Sequence, residues 1–403
     1  MQINYSKKGH AMADIDIKEI QEITPQNGPK ITIIGVGGGG SNMVTDLYNQ
    51  GAHEDLKIII ANTDVQALNA SSVPLKIQLG AKTTSGLGAG ADDEVGEKAA
   101  QESRDEIRKS LEGSDMVIIC VGLGGGTGTG AAPVVAKIAK ELGSLTVLIA
   151  TKPFLRENKP RQRRAESGLE SLSKICDSFI VVPNQKILSV ISKNTGAKQA
   201  YTLINKVLIN AANGLSSVIL NNGADDINVD FADIKKTISG QGLALMSIGE
   251  ASGDNACIDA VRNAINSPLL DNLSIANAKG AIVCYDINPN YPLLNLDEAT
   301  QFIREAINNE EAEVIEGTHY DEEKKDDFVR VTIIATGFSK PITSSLHNES
   351  TTTTNTTNST KEATTTKKEP QNEFDLSQLL LVSGGDIEAI DLDKPTFMRH
   401  QKD

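Results

Sequence analysis

The chain has 403 residues, 39% hydrophobic and 23% charged, which suits two folded units plus tails rather than one small domain. A net charge of −14 would repel a phosphate backbone, and 3% aromatics with no Trp leave few stacking platforms, so nucleic acid is not an expected partner. Four Cys without CxxC spacing, no apolar run near the ~18 residues of a membrane span, and no apolar region behind Lys7 and Lys8 predict a cytoplasmic chain that does not insert into a membrane.

In chain order, residues 1–29 are polar and close on Pro25, Asn27, Gly28 and Pro29, which reads as a flexible arm. Apolar runs follow at 31–34, 57–61, 116–121, 145–150 and 179–182, with helical patterns between them, at 42–50 and 134–142 for example. Continuous apolar strands alternating with helices predict a doubly wound, mostly parallel α/β sheet over 30–197. Leu203, Ile204, Val207, Leu208, Ala211 and Leu215 recur at helical spacing, so 198–222 reads as one long central helix. Strand candidates at 243–248, 281–285 and 329–335, with helices near 257–266 and 297–309, predict a smaller α+β domain over 223–338. The Thr- and Asn-rich stretch within 339–372 reads as a disordered linker, and 373–403 as a short tail that captures a partner.

Two glycine loops carry the chemistry. Gly35-Val36-Gly37-Gly38-Gly39-Gly40 follows the first strand and opens a helix, with Asp64 placed where a ribose-binding acid would stand. On its own this loop fits a dinucleotide-dependent oxidoreductase. Gly122-Leu123-Gly124-Gly125-Gly126-Thr127-Gly128-Thr129-Gly130 follows another strand and opens a second helix, with Pro133 expected in its first turn. Glycine lets backbone N–H groups approach an anion, and the helix start adds partial positive charge. Two such loops on one sheet suggest a polyphosphate held mainly by backbone dipoles, since no P-loop lysine is present.

GGGTGTG with GVGGGGSN upstream resembles the signature of the tubulin/FtsZ superfamily, and ATKPF at 150–154, VPN at 182–184 and NVDFADI at 228–234 fit its bacterial branch in order and spacing. The resemblance covers about 30–338, and Asp393 to Gln401 is similar to the family's tail. It implies a GTPase that binds GTP or GDP with Mg²⁺, with no direct protein ligand assigned to the metal, and that assembles head to tail into filaments of the mid-cell division ring. Carried residue by residue, Gly38, Gly39, Gly40, Ser41 and Asn42 match the first phosphate loop, and Gly125, Gly126, Thr127, Gly128 and Thr129 the central cradle. Gly88, Ala89, Gly90 and Ala91 match the γ-phosphate loop, although Asp92-Asp93 stands where Asn-Pro is common. Glu157 and Arg161 match ribose and nucleotide contacts; Asn184, Tyr201 and Asn205 match positions meeting guanine and sugar. By the same resemblance Asn228, Asp230 and Asp233 complete the catalytic site of the next subunit, while Asp393, Pro395, Phe397 and Arg399 belong to a tail for membrane-tethering division proteins.

Bland readings stand beside these. Asn62 and Asp64 suit a turn or cap equally well, Glu157 and Arg161 an exposed i, i+4 ion pair, Tyr201 ordinary packing, and Asp230 and Asp233 an N-cap with an acid in the first turn. At this point the oxidoreductase, a regulator that binds the nucleotide without hydrolysis, and an organelle division homologue remain as rivals.

Overall fold

The computed structural model describes residues 28–191, 194–220, 230–240, 242–267 and 274–338. The expected arm below residue 28, Asn228, the linker and the tail with Asp393, Pro395, Phe397 and Arg399 lie outside the described residues.

The first part of the chain runs β1 (Ile31–Val36), α1 (Gly37–Asn49), β2 (Lys57–Asn62), α2 (Val65–Ala70), β3 (Leu75–Gln78), α3 (Ala81–Thr84), α4 (Asp93–Glu102), α5 (Arg104–Leu111), β4 (Met116–Gly122), α6 (Gly126–Glu141), β5 (Leu145–Lys152), α7 (Lys159–Ser173), β6 (Ser178–Pro183) and α8 (Asn184–Val190). Then come α9 (Ala197–Leu220), α10 (Phe231–Ile238), β7 (Gly242–Ser252), α11 (Ala256–Ile265), β8 (Gly280–Ile287), α12 (Leu293–Ile307), β9 (Glu313–Tyr320) and β10 (Phe328–Thr336).

All ten strands join one sheet in the order β3-β2-β1-β4-β5-β6-β7-β10-β8-β9. It is parallel from β3 to β7 and again between β8 and β9; only β10 runs antiparallel to its neighbours. The doubly wound expectation holds, and the second part continues the same sheet through the three-residue pairing of β6 with β7. In β1 the side chains alternate between faces. Ile31 and Ile33 pack under α1 and α9, while Ile34 and Val36 pack under α4 to α7. Burial on both faces is why these strands read as unbroken apolar runs. Each fully buried Ile or Val contributes about 1.5–3 kcal/mol.

The central helix α9 is 24 residues long, about 36 Å at 1.5 Å per residue. Its apolar stripe from Ile204 to Leu220 shares one core with the strands of the first part and with Ile282, Cys284 and Ile334 of the second. A separate core fills the space between α11, α12 and the opposite face of β7, β8 and β10.

Two helices begin earlier than their periodicity suggests. α1 starts at Gly37 rather than near Asn42, and α6 at Gly126, so the glycine runs form the first helical turns. Pro133 is therefore in the interior of α6, not in its first turn. The glycines also serve packing. A Cβ on Gly130 would lie 2.0 Å from the Asp93 carbonyl oxygen, and one on Gly96 2.3 Å from that of Gly126, so α4 and α6 meet backbone to backbone.

Candidate nucleotide site

β1 and β4 are neighbours at the point where the strand order reverses, and such switch points form crevices at the carboxyl ends of strands. Both glycine loops leave from there. The structure gives α2, α4 and α7 a side-chain cap each, from Asp64, Asp92 and Asn158. α1 and α6, capped by Val36 and Gly125, have none. Their first N–H groups carry the helix's partial positive charge to the crevice without a side-chain acceptor. A phosphate chain is the acceptor such a pair of ends suits.

The predicted loop residues divide by what surrounds them. A Cβ on Gly38 or Gly125 would have no atom within 4 Å, so these two face open space. On Gly40 it would lie 2.1 Å from the Cys120 carbonyl oxygen, and on Gly128 2.9 Å from that of Gly122; Gly39 lies almost as close to Gly122. Those three seat α1 and α6 against the strands. Asn42 is exposed, and Ser41 is buried with its Oγ lacking a partner. Thr127 Oγ1 is 2.6 Å from Thr63 Oγ1. Thr129 Oγ1 accepts the Gly124 N–H at 2.8 Å, so this hydroxyl closes the loop on itself.

Gly88 to Ala91 lies against the same loop. The Gly88 N–H donates to Thr63 O at 3.2 Å, and Gly126 is held so close that its Cβ would meet Asp92 N and O at 2.7 Å. Gly88, Gly90 and Ala91 all have positive φ, at 86°, 59° and 63°. For Ala91 this left-handed backbone costs about 1 kcal/mol. Asp92 Oδ1 accepts the N–H of Glu94 at 2.9 Å, doing as an Asx cap what Asn would do there. Asp64 is likewise a cap, with Oδ1 taking the N–H groups of Gln66 and Ala67. Asn62 Oδ1 takes the Thr63 N–H, so for Asn62 and Asp64 the local reading prevails.

Glu157 Oε1 accepts the Phe154 N–H at 2.9 Å, and Oε2 pairs with Arg161 Nε at 2.9 Å. The Arg161 carbonyl presses on Gly124, whose φ of +94° and whose Cβ position 2.7 Å from that oxygen both require glycine. Arg164, which no sequence motif singles out, donates from Nε to Gly124 O at 3.2 Å. α7 is thereby fixed to the second glycine loop.

The residues expected to meet the base and sugar lie at the start of α8 and in the first turns of α9. The Tyr201 ring, 44% exposed, meets Phe154 edge-on with centroids 5.4 Å apart. Asn184 is 7% exposed and its Oδ1 has no partner. Asn205 Nδ2 donates to Asp46 Oδ2 at 2.7 Å, a contact across 159 residues that no local pattern announces.

Asp230 and Asp233 are elsewhere. Asp230 caps α10, accepting the Ala232 N–H at 2.9 Å with its side chain and the Asp233 N–H at 3.0 Å with its carbonyl; Asp233 is exposed. α10 is fixed to the second part by Thr336 Oγ1 donating to Thr237 O and by the Lys236–Glu313 pair. It packs on β8 and β9. β8 is five places along the sheet from β4, about 24 Å at 4.8 Å per strand. An eight-residue helix spans only ~12 Å. One chain therefore does not bring these carboxylates to its own glycine loops. Among the described residues no three His, Cys, Asp or Glu side chains gather as a metal site.

Residues 30–192 match the model of the tubulin/FtsZ family GTPase domain, and 242–339 that of the FtsZ family C-terminal domain. A cell division protein FtsZ of Helicobacter pylori is 45% identical over 330 residues, which cover 82% of this chain and 85% of that one. The chain belongs to the FtsZ family. An empty FtsZ dimer from M. jannaschii is 41% identical over 78% of this chain and 89% of that one, with a TM-score of 0.73. CetZ1 from Haloferax volcanii, at 22% identity and a TM-score of 0.65 over 77% of this chain and 94% of that one, shares the fold. Family membership makes the chain a GTPase of cell division that binds guanine nucleotide, and it retires the oxidoreductase reading of the first loop. No helix of the described residues is long and apolar enough to cross a membrane.

Proposed function

We propose that this GTPase assembles head to tail into filaments of the mid-cell division ring, and that GTP is hydrolysed between subunits. The observation that carries the reading is the pair of incomplete ends. The uncapped starts of α1 and α6 lie at one place, while Asp230 and Asp233 are exposed on α10, some five strands away. A second copy stacked end to end would bring one subunit's carboxylates to the other's phosphates. A contact of that kind is heterologous and, unless it closes into a ring, gives an open filament. The archaeal relative described as a dimer is consistent with self-association.

On this reading the triphosphate lies along the N–H groups of the two helix starts, with Gly38 and Gly125 leaving it room. Gly88 to Ala91 closes on its terminal phosphate, and Asn184, Tyr201 and Asn205 meet the base and sugar. Asp230 and Asp233 of the next subunit orient the attacking water, and Asn228 shares their catalytic role. As the bond to the γ-phosphoryl group breaks, charge passes to the β-phosphate, where the helix dipoles stand ready. Mg²⁺ enters with the substrate as Mg–GTP and neutralises phosphate charge; no protein ligand is assigned to it. The tail around Asp393, Pro395, Phe397 and Arg399 binds membrane-tethering division proteins, and the core remains in the cytoplasm.

The test is the GTP hydrolysis rate per subunit across protein concentration. A rate near zero below a threshold and rising above it is expected. Asp233→Ala should keep GTP affinity within about twofold and lose at least 100-fold in rate, the scale of a lost catalytic acid–base group. A per-subunit rate independent of concentration, or loss of nucleotide binding in Asp233→Ala, would refute hydrolysis between subunits.

A further inference from the structure

We propose that residues 374–382 of this chain add a strand to the outer edge of β9. Among the described residues β9 pairs with β8 alone, over eight positions. The Glu313 N–H donates to Lys279 O at 3.1 Å and the Asp321 N–H to Ile287 O at 2.8 Å, so the odd-numbered amides of β9 point to β8. Those of Val314, Glu316, Thr318 and Tyr320 point outward, where a further strand would take them. The side chains of the same four residues lie on the α12 face of the sheet. Glu316 bridges to that helix, accepting from Thr300 Oγ1 at 2.9 Å and from Arg304 Nη2 at 3.0 Å. On one side of the bridge, Arg304, Ile307, Asn308 and Val314 line a cavity of about 490 Å³. On the other, Tyr285, Leu293, Leu294 and Thr318 line one of about 520 Å³, and its two leucines are each 69% exposed.

Two features select the occupant. The first is reach. β10 ends at Thr336 opposite Gly280, which is itself opposite Glu313, so the chain leaves the sheet two strands, about 10 Å, from the start of β9. The 35 residues of 339–373 span about 30–35 Å root-mean-square, against about 26 Å for the length of β9. The second is pattern. Phe374-Asp375-Leu376-Ser377-Gln378-Leu379-Leu380-Leu381-Val382 has six apolar residues in nine and a single charge. In a strand Phe374, Leu376, Gln378, Leu380 and Val382 share one face. With the middle residue Gln378 opposite Glu316, Leu376 and Leu380 stand about 13 Å apart, as Val314 and Thr318 do along β9, and each enters one cavity. The Gln378 amide, with a donor and an acceptor, suits the Arg304–Glu316 pair between them. Pairing closes an edge that could otherwise template association with another chain. It also leaves only residues 383–392 between the core and the tail that begins at Asp393, which shortens the reach of that tail.

The experiment is hydrogen–deuterium exchange of the full chain without nucleotide, read by mass spectrometry on peptides of β8, β9 and β10 at several protein concentrations. The amides of β9 should exchange at least about tenfold more slowly in the wild type than in the full chain carrying Leu376→Asp and Leu380→Asp. Those of β8 and β10, already paired on both sides, should not change. Ser377→Asp, on the opposite face of the added strand, should leave β9 within about twofold of the wild type. All three substitutions lie outside the residues that form the core, so the fold is not at stake. Protection of β9 should not depend on protein concentration, as pairing within one chain requires. Protection that grows with concentration would put the segment on another copy. Equal losses from Ser377→Asp and from the double variant would mean a contact without strand alternation. Unchanged β9 exchange in the double variant, or a rise shared by β8 and β10, would mean that the segment does not pair with this edge. Each of these outcomes overturns the proposal.

Discussion

Gly38 and Gly40 are two residues apart in one loop, both match the family's phosphate loop, and the structure assigns them opposite sensitivities. A methyl group on Gly40 would be placed 2.1 Å from the Cys120 carbonyl oxygen and 3.0 Å from its carbon. Ordinary contact begins near 3.4 Å, so α1 would have to retreat from β4 by about 1 Å. It cannot do so cheaply, because Met43, Val44 and Leu47 on the same helix are fully packed into the core beneath it. Overpacking of this kind costs about 3 kcal/mol or somewhat more. At 2–4 °C per kcal/mol for a domain of this size, Gly40→Ala should melt about 6–12 °C below the wild type without nucleotide. Gly38→Ala meets no atom within 4 Å and replaces a helical glycine by alanine, so its melting point should stay level or rise slightly. Whatever Gly38→Ala loses should appear in GDP affinity, because its methyl group projects into the open crevice. Differential scanning calorimetry of the two variants without nucleotide, with GDP titration of each, decides the matter. Equal melting points, or a Gly38 variant less stable than the Gly40 variant, would refute the division of the loop into packing and phosphate-facing glycines.

Burial pushes the thiols of Cys120, Cys176 and Cys257 up to about 12 from an ordinary value of 9.0. Below pH 9 the thiols are protonated in both states and their contribution is complete. Between pH 9 and 12 the unfolded chain loses these protons first, so each thiol lowers stability by about 1.4 kcal/mol per pH unit and the three together by about 4. Denaturant midpoints from pH 8.5 to 10.5 should show Cys120→Ala with a slope shallower by about a third of this amount, and an unchanged slope would contradict the burial argument. Deleting residues 390–403 should leave GTP hydrolysis and filament sedimentation intact while tagged filaments leave the cell envelope. Loss of sedimentation would mean that the tail belongs to the assembling core.

The central strands were legible because burial on both faces writes itself as an unbroken apolar run, as in Met116–Val121, where every residue is buried. β3 and β9 went unread because they form the two edges of the sheet. Leu75–Gln78 is short and half exposed, and Glu313–Tyr320 mixes Glu, Thr and His among its apolar residues, as an edge strand can. The glycine loops were legible as loops, yet no pattern separates Gly38 from Gly40. That difference depends on β4, some 80 residues further along the chain. Asp64 looked like a ribose ligand by spacing, but its carboxylate caps α2, a role the same residue type fills equally well. The contact between Asp46 and Asn205 was illegible for the opposite reason. On an amphipathic helix an aspartate reads as solvated surface until α9 arrives 159 positions later with Asn205.

Each half of the proposed catalytic site is braced by hydrogen bonds of its own, and this bears on how hydrolysis is tied to assembly. Asp230 already serves its own chain as the α10 cap, and the glycine loops are held by Thr129, Thr63 and Arg164. Neither half alone has both an anion-binding surface and a carboxylate to direct water. Five places along the sheet, about 24 Å, separate them within one chain. On the proposed reading, contact between copies completes the site, and an unassembled subunit remains inactive without an internal relay. The same arrangement makes the interface sensitive to what it consumes. On the same reading, the γ-phosphate stands between the loop Gly88–Ala91 of one subunit and the carboxylates of the next. Once it leaves, the Mg²⁺ that the triphosphate carries, whose positive charge offsets the repulsion between the phosphates and the carboxylates of Asp230 and Asp233, is held less strongly. What remains of the contact is packing and rim charges, which are worth little when exposed. A filament held in this way weakens at the subunits that have hydrolysed their nucleotide.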